Sequence, residues 1–395
     1  VKLLFLHKEF PGQFYNVVAH AARLGHEVVF LSRPTEKSMP GVDSCFYEEE
    51  EPPEGLGLAR TFAHDVARAE AVYRACEALR GRGFVPDAVL GYVGWGETMF
   101  VKTAFPDARL VGYCEWYHGQ PLLPEDEEDA GWKIRCRARN AAPLLALTDC
   151  HAAVSPTAWQ RAQFPAALRE RIEVLHDGVD TGFFAPVEGA RLVLGDLDLS
   201  SVDELVTYAA RGLEPIRGFP EMMRAAALVL RERPRAHVVI AGWDDVFYDA
   251  SLEAGETWRQ RMLAELDVDE ERLHFVGPLS YADLRKLYRA SSVHVYLTRP
   301  FVLSWSVVEA MSTGAIVVGS DTPPVRELIE DGVNGLLASL DDPSAIARRI
   351  VEVLEHPRSF EPLRERARST VLARYDLASL LPDWLALVTG QGRRP

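Results

Sequence analysis

Short apolar runs rich in β-branched residues alternate along the chain with longer stretches whose apolar positions recur at helical spacing. In the first half the runs are Lys2–His7, Glu27–Leu31, Asp87–Leu90 and Arg109–Cys114, and the amphipathic stretch Gln13–Leu24 separates the first two. This alternation predicts βαβ units, because a strand covered on both faces needs a continuous apolar run whereas a covering helix needs only a stripe. A second series, Leu205–Ala209, His237–Ala241, Leu273–Val276, Val293–Leu297 and Ala315–Gly319, predicts a second doubly wound α/β domain. Between them, His176-Asp177-Gly178-Val179-Asp180 supplies turn chemistry after the strand Ile172–Leu175, and Thr181–Ser201 carries Pro186, Gly189 and Gly195. The expected division is a first domain over 1–180, a linker over 181–204, a second domain over 205–360, and helices over 361–395 that cross back onto the first domain.

Composition narrows the class. A chain of 395 residues exceeds what one core usually supports, and 48% hydrophobic with 26% charged residues excludes wholesale disorder. No run approaches the roughly 20 apolar residues of a membrane span, and the opening Val1–His7 run is too short for the apolar region of a leader. The five cysteines form no Cys-x-x-Cys pair, which places the expected location in a reducing cytoplasm. A formal charge of −15 opposes a nucleic-acid partner. Lys133, Arg135, Arg137 and Arg139 form a local basic patch that reads as a solvated helix face, or at most as a peripheral contact with an anionic substrate or lipid headgroups. Glu48–Glu51 and Glu125–Asp129 read as exposed acidic loops.

The usual catalytic signatures are missing. The loop after the first strand, His7-Lys8-Glu9-Phe10-Pro11-Gly12-Gln13-Phe14, has one glycine where a dinucleotide site has three. No phosphate-binding Gly-x4-Gly-Lys-Ser/Thr loop, His-Glu-x-x-His or Gly-x-Ser-x-Gly occurs. Asp196-Leu197-Asp198 and Asp267-Val268-Asp269 fall at turn-like connections and read as turn residues, not metal ligands.

Two elements converge on anion chemistry. Ser304 can cap a helix running to about Thr313, which aims free backbone N–H groups and a positive helix end at the mouth of the second sheet. Glu309, one turn inside, can accept from both hydroxyls of a ribose; the bland alternative is an exposed helix residue. Arg211 and Arg217 flank the turn after the second domain's first strand, at the carboxyl edge where open α/β sheets bind ligands, and suit a diphosphate.

In order along the chain, His176–Asp180, the Arg211/Arg217 loop, Leu273-His274-Phe275-Val276-Gly277, Glu309-Ala310-Met311 with Gly314, and Asp331-Gly332-Val333-Asn334-Gly335 resemble the retaining nucleotide-sugar glycosyltransferases of the family-four, group 1 type. His7-x-x-Phe10-Pro11-Gly12-Gln13-Phe14, Gly91–Glu97 and Pro300–Ser306 are similar to one bacterial branch of that group. The resemblance implies the GT-B architecture, two facing Rossmann-like domains, with donor in the second and acceptor in the first. It implies Arg211 and Arg217 on the donor diphosphate, amides near Leu303, Ser304 and Trp305 on the same phosphates, Glu309 on the ribose, main-chain groups of Phe275 and Val276 on the base, and Gly12 close to the transferring sugar. Two positions depart from the family pattern. Phe301 stands where its Glu-x7-Glu motif has the first glutamate, and the first-domain histidine position falls within Tyr113–His118, where Glu115 and His118 both remain candidates.

The implied reaction is sugar transfer from a UDP- or GDP-linked donor to a hydroxyl of a glycan, small-molecule or lipid-linked acceptor. It retains anomeric configuration by front-face departure, with no obligatory cofactor or metal. The acceptor is expected near Trp95, Glu97, Glu115, Trp116 and residues 119–139. The competing readings are a nucleotide-sugar epimerase or phosphorolytic enzyme on the same scaffold, and a catalytically weak scaffold protein that binds nucleotide sugar or glycan.

Overall fold

The computed structural model describes residues 1–119, 129–248, 252 and 255–391. Residues 125–128 of the expected acidic loop, and part of the 119–139 segment, lie outside the described residues. The chain divides into two compact units, Val1–Gly178 with Leu377–Pro395, and Val179–Asp376.

The first unit contains β1 (Lys2–Leu6), β2 (Glu27–Ser32), β3 (Val42–Phe46), β4 (Ala88–Tyr92), β5 (Arg109–Tyr113), β6 (Ala152–Ser155) and β7 (Ile172–Val174). They pair in parallel in the order β3-β2-β1-β4-β5-β6-β7. Strand order therefore reverses between β1 and β4, which opens a crevice at their carboxyl ends. The apolar runs became central strands because both faces are covered: Leu4 and Leu6 pack with Val72, Cys76 and Leu110, while Leu3 and Phe5 pack with Val18, Phe30 and Val111. β3 is an edge strand with exposed Asp43 and Ser44, so it lacks the apolar run that marks its neighbours.

The helix Leu377–Thr389 belongs to this unit. It buries Leu381, Trp384, Leu387 and Val388 in the core with Leu3, Phe5 and Tyr113, and Trp384 Nε1 donates to the His176 carbonyl at 2.9 Å.

The second unit begins with the small antiparallel hairpin β8 (Val193–Leu194) and β9 (Leu197–Asp198). Its main sheet comprises β10 (Glu204–Gly212), β11 (Ala236–Trp243), β12 (Leu273–Gly277), β13 (Val293–Tyr296), β14 (Val317–Ser320) and β15 (Leu336–Ala338), parallel in the order β12-β11-β10-β13-β14-β15. Here the reversal lies between β10 and β13.

Residues 181–204, expected as a linker, are part of this unit's body. Phe184, Leu192 and Leu199 are buried with Leu205, Tyr288, Val307 and Met311, so their apolar side chains anchor an irregular backbone. The tail also divides later than expected. The helix Pro357–Arg374 stays in the second unit, with Ala367 and Val371 buried in the same cluster and Arg368 donating to the Thr181 carbonyl at 2.9 Å. The change of unit falls at Asp376/Leu377, not near 361.

The acidic triplets resolve as turn chemistry. Asp198 accepts from the Ser200 amide at 2.9 Å, and Asp269 pairs with Arg272 at 2.7 Å. Among the described residues no group of three His, Cys, Asp or Glu side chains is placed to hold a metal ion, and no helix is long and apolar enough to cross a membrane.

Candidate active site

In the second unit, β10 runs on to Gly212, so Arg211 lies on the strand and not in the loop beyond it. Its side chain is exposed, with the guanidinium 4.5 Å from the centre of the Phe247 ring. Arg217 ends the single 3-10 turn Pro215–Arg217 and is 7% exposed. Gly218 follows at φ +65°, and a Cβ there would meet Leu297 at 2.5 Å, so only glycine lets the chain turn this close to the end of β13.

Arg217 Nη1 donates to Thr298 Oγ1 at 3.2 Å and to the Val302 carbonyl at 3.0 Å, which spans the crevice between the β10 and β13 edges. The Phe301 and Tyr248 rings lie 5.3 and 5.5 Å from the guanidinium and touch each other edge to face. Phe301, at the position of the family's first glutamate, is thus an apolar wall for Arg217. Tyr248 and Phe247 carry no motif, and their amides both donate to Glu214 Oε2, at 2.9 and 3.0 Å. This buried carboxylate is what brings the loop after β11 to the two arginines.

Ser304 caps the helix Trp305–Ser312: its Oγ accepts from the Ser306 amide at 3.3 Å, and its own amide donates to Tyr296 Oη at 2.8 Å. Leu303 is buried and Trp305 half-buried at this terminus. Glu309 is only 5% exposed, which removes the reading of a solvated helix residue, and burial pushes its carboxyl up to about 8. Phe275 and Val276 stand on the edge strand β12, away from the β10/β13 crevice. They line a cleft of about 600 Å³ bordered by Leu194 and Leu197 of the hairpin, and the Arg259 guanidinium lies 4.2 Å from the Phe275 ring centre. The Asp331–Leu337 motif is a turn: Asn334 accepts from the Glu330 amide at 2.8 Å and donates to the Leu328 carbonyl at 3.0 Å, which delivers the chain into β15.

In the first unit the candidates gather where β1, β4 and β5 end. Glu115 accepts from Gln13 Nε2 at 3.1 Å and from Tyr92 Oη at 3.0 Å, and Gln160 donates to its carbonyl at 2.8 Å. His118 lies elsewhere: Asn140 accepts from its amide at 3.0 Å and donates to its carbonyl at 2.9 Å, and burial holds the imidazole down at about 4. Glu115 thus joins the loop after β1, and His118 joins the start of the helix at 141.

Gly12 has φ +54°, and a Cβ there would meet His7 Nδ1 at 2.4 Å. The group it admits so closely is the His7 ring, which is buried, held neutral at about 4 by that burial, and edged against Phe14, Tyr92 and Trp95. Gly12→Ala should therefore cost about 2–3 kcal/mol from left-handed backbone strain plus overpacking, read as a lowered denaturation midpoint.

Glu97 is fully buried, and neither carboxylate oxygen has a hydrogen-bond partner among the described residues; burial pushes it up to about 7. Trp95 lies near Lys8 and His7, whereas Trp116 is buried in the wall. The sequence singled out neither Lys8 nor Tyr92 as a site residue; the loop position of Lys8 directly after a central strand was the available signal.

Two doubly wound parallel sheets, each with polar and charged groups at the carboxyl edge of its strand reversal, are the architecture of the GT-B fold. Residues 24–184 match the family model for the glycosyl transferase family 4 group, and residues 203–356 match that for glycosyl transferases group 1. By fold and by both matches the chain belongs with the GT-B glycosyltransferases.

A D-inositol 3-phosphate glycosyltransferase from Mycolicibacterium gilvum is 31% identical over 226 residues, 56% of this chain and 47% of that relative. The chain spans about half the length of that relative. Among solved structures, Anabaena HepE in complex with UDP superimposes with a TM-score of 0.69 at 17% identity, covering 99% of this chain and 100% of HepE. Sucrose-phosphate synthase from Thermosynechococcus elongatus gives 0.72 at 17% identity, covering 98% of each chain.

Proposed function

We propose that the protein transfers a sugar from a UDP-linked donor to an acceptor hydroxyl with retention of configuration and without an obligatory metal. The observation that carries this reading is Arg217, a nearly buried guanidinium fixed across the β10/β13 crevice beside the capped helix that starts at Trp305. A cation withdrawn from water at the strand reversal of an α/β sheet is preorganised for an anion. The solved HepE complex with UDP supports a uridine nucleotide as that anion.

In this reading Arg211, Arg217 and the Trp305 amide at the helix start hold the diphosphate, Glu309 accepts from the ribose, and Phe275 and Val276 meet the base; the Ser304 amide, expected on the phosphates, is instead engaged by Tyr296 Oη. As the bond from the anomeric carbon to the diphosphate oxygen breaks, negative charge grows on the diphosphate, so these donors stabilise the transition state more than the ground state. The acceptor oxygen bonds to the anomeric carbon from the same face and its proton passes to the departing phosphate. No enzyme nucleophile is needed in such a front-face departure. Glu115, tethered by Gln13 and Tyr92, is the first-unit group assigned to the acceptor side, in preference to His118.

Calorimetric titration with UDP and GDP in the presence of a chelator tests this. UDP should bind, with GDP about tenfold weaker or more, and Arg211→Ala should weaken UDP only about three- to tenfold, because an exposed charge facing water contributes little. Absence of UDP binding would remove the reading.

A further inference from the structure

The crevice of the first unit has two lips, Lys8 just beyond β1 and Trp95 just beyond β4. Lys8 Nζ lies 3.6 Å from the Trp95 ring centre, and the indole stacks on Tyr92 at 3.9 Å, so the ring is held from behind while the ammonium rests on it. Lys8 is half-buried and, among the described residues, has no ion pair or hydrogen bond to its ammonium. The chain has six lysines, and the others differ: Lys2 pairs with Glu27, Lys286 pairs with Asp283, Lys102 donates to the Ala108 carbonyl, and Lys37 and Lys133 are exposed.

The carboxylates that act on Lys8 are those of Glu9 and Glu97, and neither pairs with its ammonium. Arg68 and Arg33 add positive charge on the same side, and they are the groups that hold Glu49, Arg68 at 2.6 Å, with Asp65 3.7 Å from Arg68. Glu97 is sealed from water, and Glu9, although adjacent in sequence, does not offset the desolvation that pulls the Lys8 ammonium below its usual range. An ammonium partly removed from water with only an aromatic face beneath it gains from any anion that enters the crevice.

We infer that the Lys8–Trp95 crevice is an anion subsite that receives a phosphate or carboxylate group of the acceptor. The assignment to the acceptor rests on the donor reading above, which places the nucleotide on the second unit; the anion site itself does not.

Pyridoxal 5′-phosphate tests the site on the unaltered full chain. Its aldehyde condenses with an unprotonated amine, releasing water, and borohydride reduces the imine to a stable secondary amine that peptide mapping locates among six lysines. Lys8 should label about tenfold faster than exposed Lys37 and Lys133, because a desolvated amine is more often unprotonated and the phosphate is drawn to the crevice. Pyridoxal, which lacks the phosphate, should lose most of that advantage. Inorganic phosphate and glucose 6-phosphate should protect Lys8, chloride at equal ionic strength should not, and UDP should not.

Labelling of Lys8 at the rate of the exposed lysines, or equally by pyridoxal, would overturn the anion subsite. Protection by UDP would overturn its assignment to the acceptor. If calorimetry shows no UDP binding while phosphate still protects Lys8, the donor reading falls and the anion site stands.

Discussion

Arg217→Ala should lower the affinity for UDP by about 100-fold and kcat/KM with the UDP-linked donor by about 100- to 1,000-fold, the range lost when one preorganised donor to a developing anion is removed. Confinement of the guanidinium is the cause. Nη1 is tied to Thr298 and Val302, and Tyr248 and Phe301 flank the guanidinium, so its position is set before a ligand arrives. A charge on a flexible exposed stem, such as Arg211, must first be ordered and competes with water. Arg217→Lys should recover part of the loss, because an ammonium supplies the charge but cannot span two acceptors and stack between rings at once. Thermal unfolding separates binding from folding: the alanine variant loses packing between two rings, and its stability should fall by no more than about 2 kcal/mol. Calorimetry showing undiminished UDP binding in a folded Arg217→Ala variant would place the nucleotide elsewhere.

Glu309→Gln should stabilise the protein at pH 8 while weakening UDP. Burial raises the folded-state carboxyl from 4.5 to about 8, with no partner charge as the cause. Below pH 4.5 both folded and unfolded states hold the proton, and the residue is neutral to the balance. Between pH 4.5 and 8 the unfolded chain has released a proton that the folded chain keeps, so stability falls as pH rises, by up to about 4–5 kcal/mol, and levels off above 8. Glutamine has nearly the same shape and no proton to lose. Urea denaturation should therefore show the variant equal to the parent near pH 4 and progressively more stable towards pH 8.

The ligand side has the opposite sign. A buried carboxylate accepting from two ribose hydroxyls loses about tenfold in affinity when replaced by an amide, whose nitrogen presents donors to donors. A residue that costs the fold stability and returns it as nucleotide affinity is what a binding role demands. A variant with unchanged UDP affinity would reduce Glu309 to a buried core residue.

Most of the architecture was legible because it is local. Continuous apolar runs such as Leu3–Leu6, Val238–Ala241 and Val317–Gly319 mark strands covered on both faces wherever they sit, and Ser304 before an apolar-periodic stretch marks a helix start. β3 escaped because an edge strand with Asp43 and Ser44 outward has no such run, and 181–204 read as a linker because Pro and Gly outweighed the widely spaced Phe184, Leu192 and Leu199.

What only the tertiary structure decided is partnership. Residue type alone did not distinguish a solvated Glu309 from a sealed one, nor Arg211 on an open face from Arg217 bridging Thr298 and Val302 some 80 residues away. Nor did it place Lys8 on Trp95 or tie Glu115 to Gln13 and Tyr92. Strand and helix propensity is written in neighbours along the chain. Burial and pairing depend on sheet order, which sets β1 beside β4 and β10 beside β13 and so joins loops that are remote in sequence.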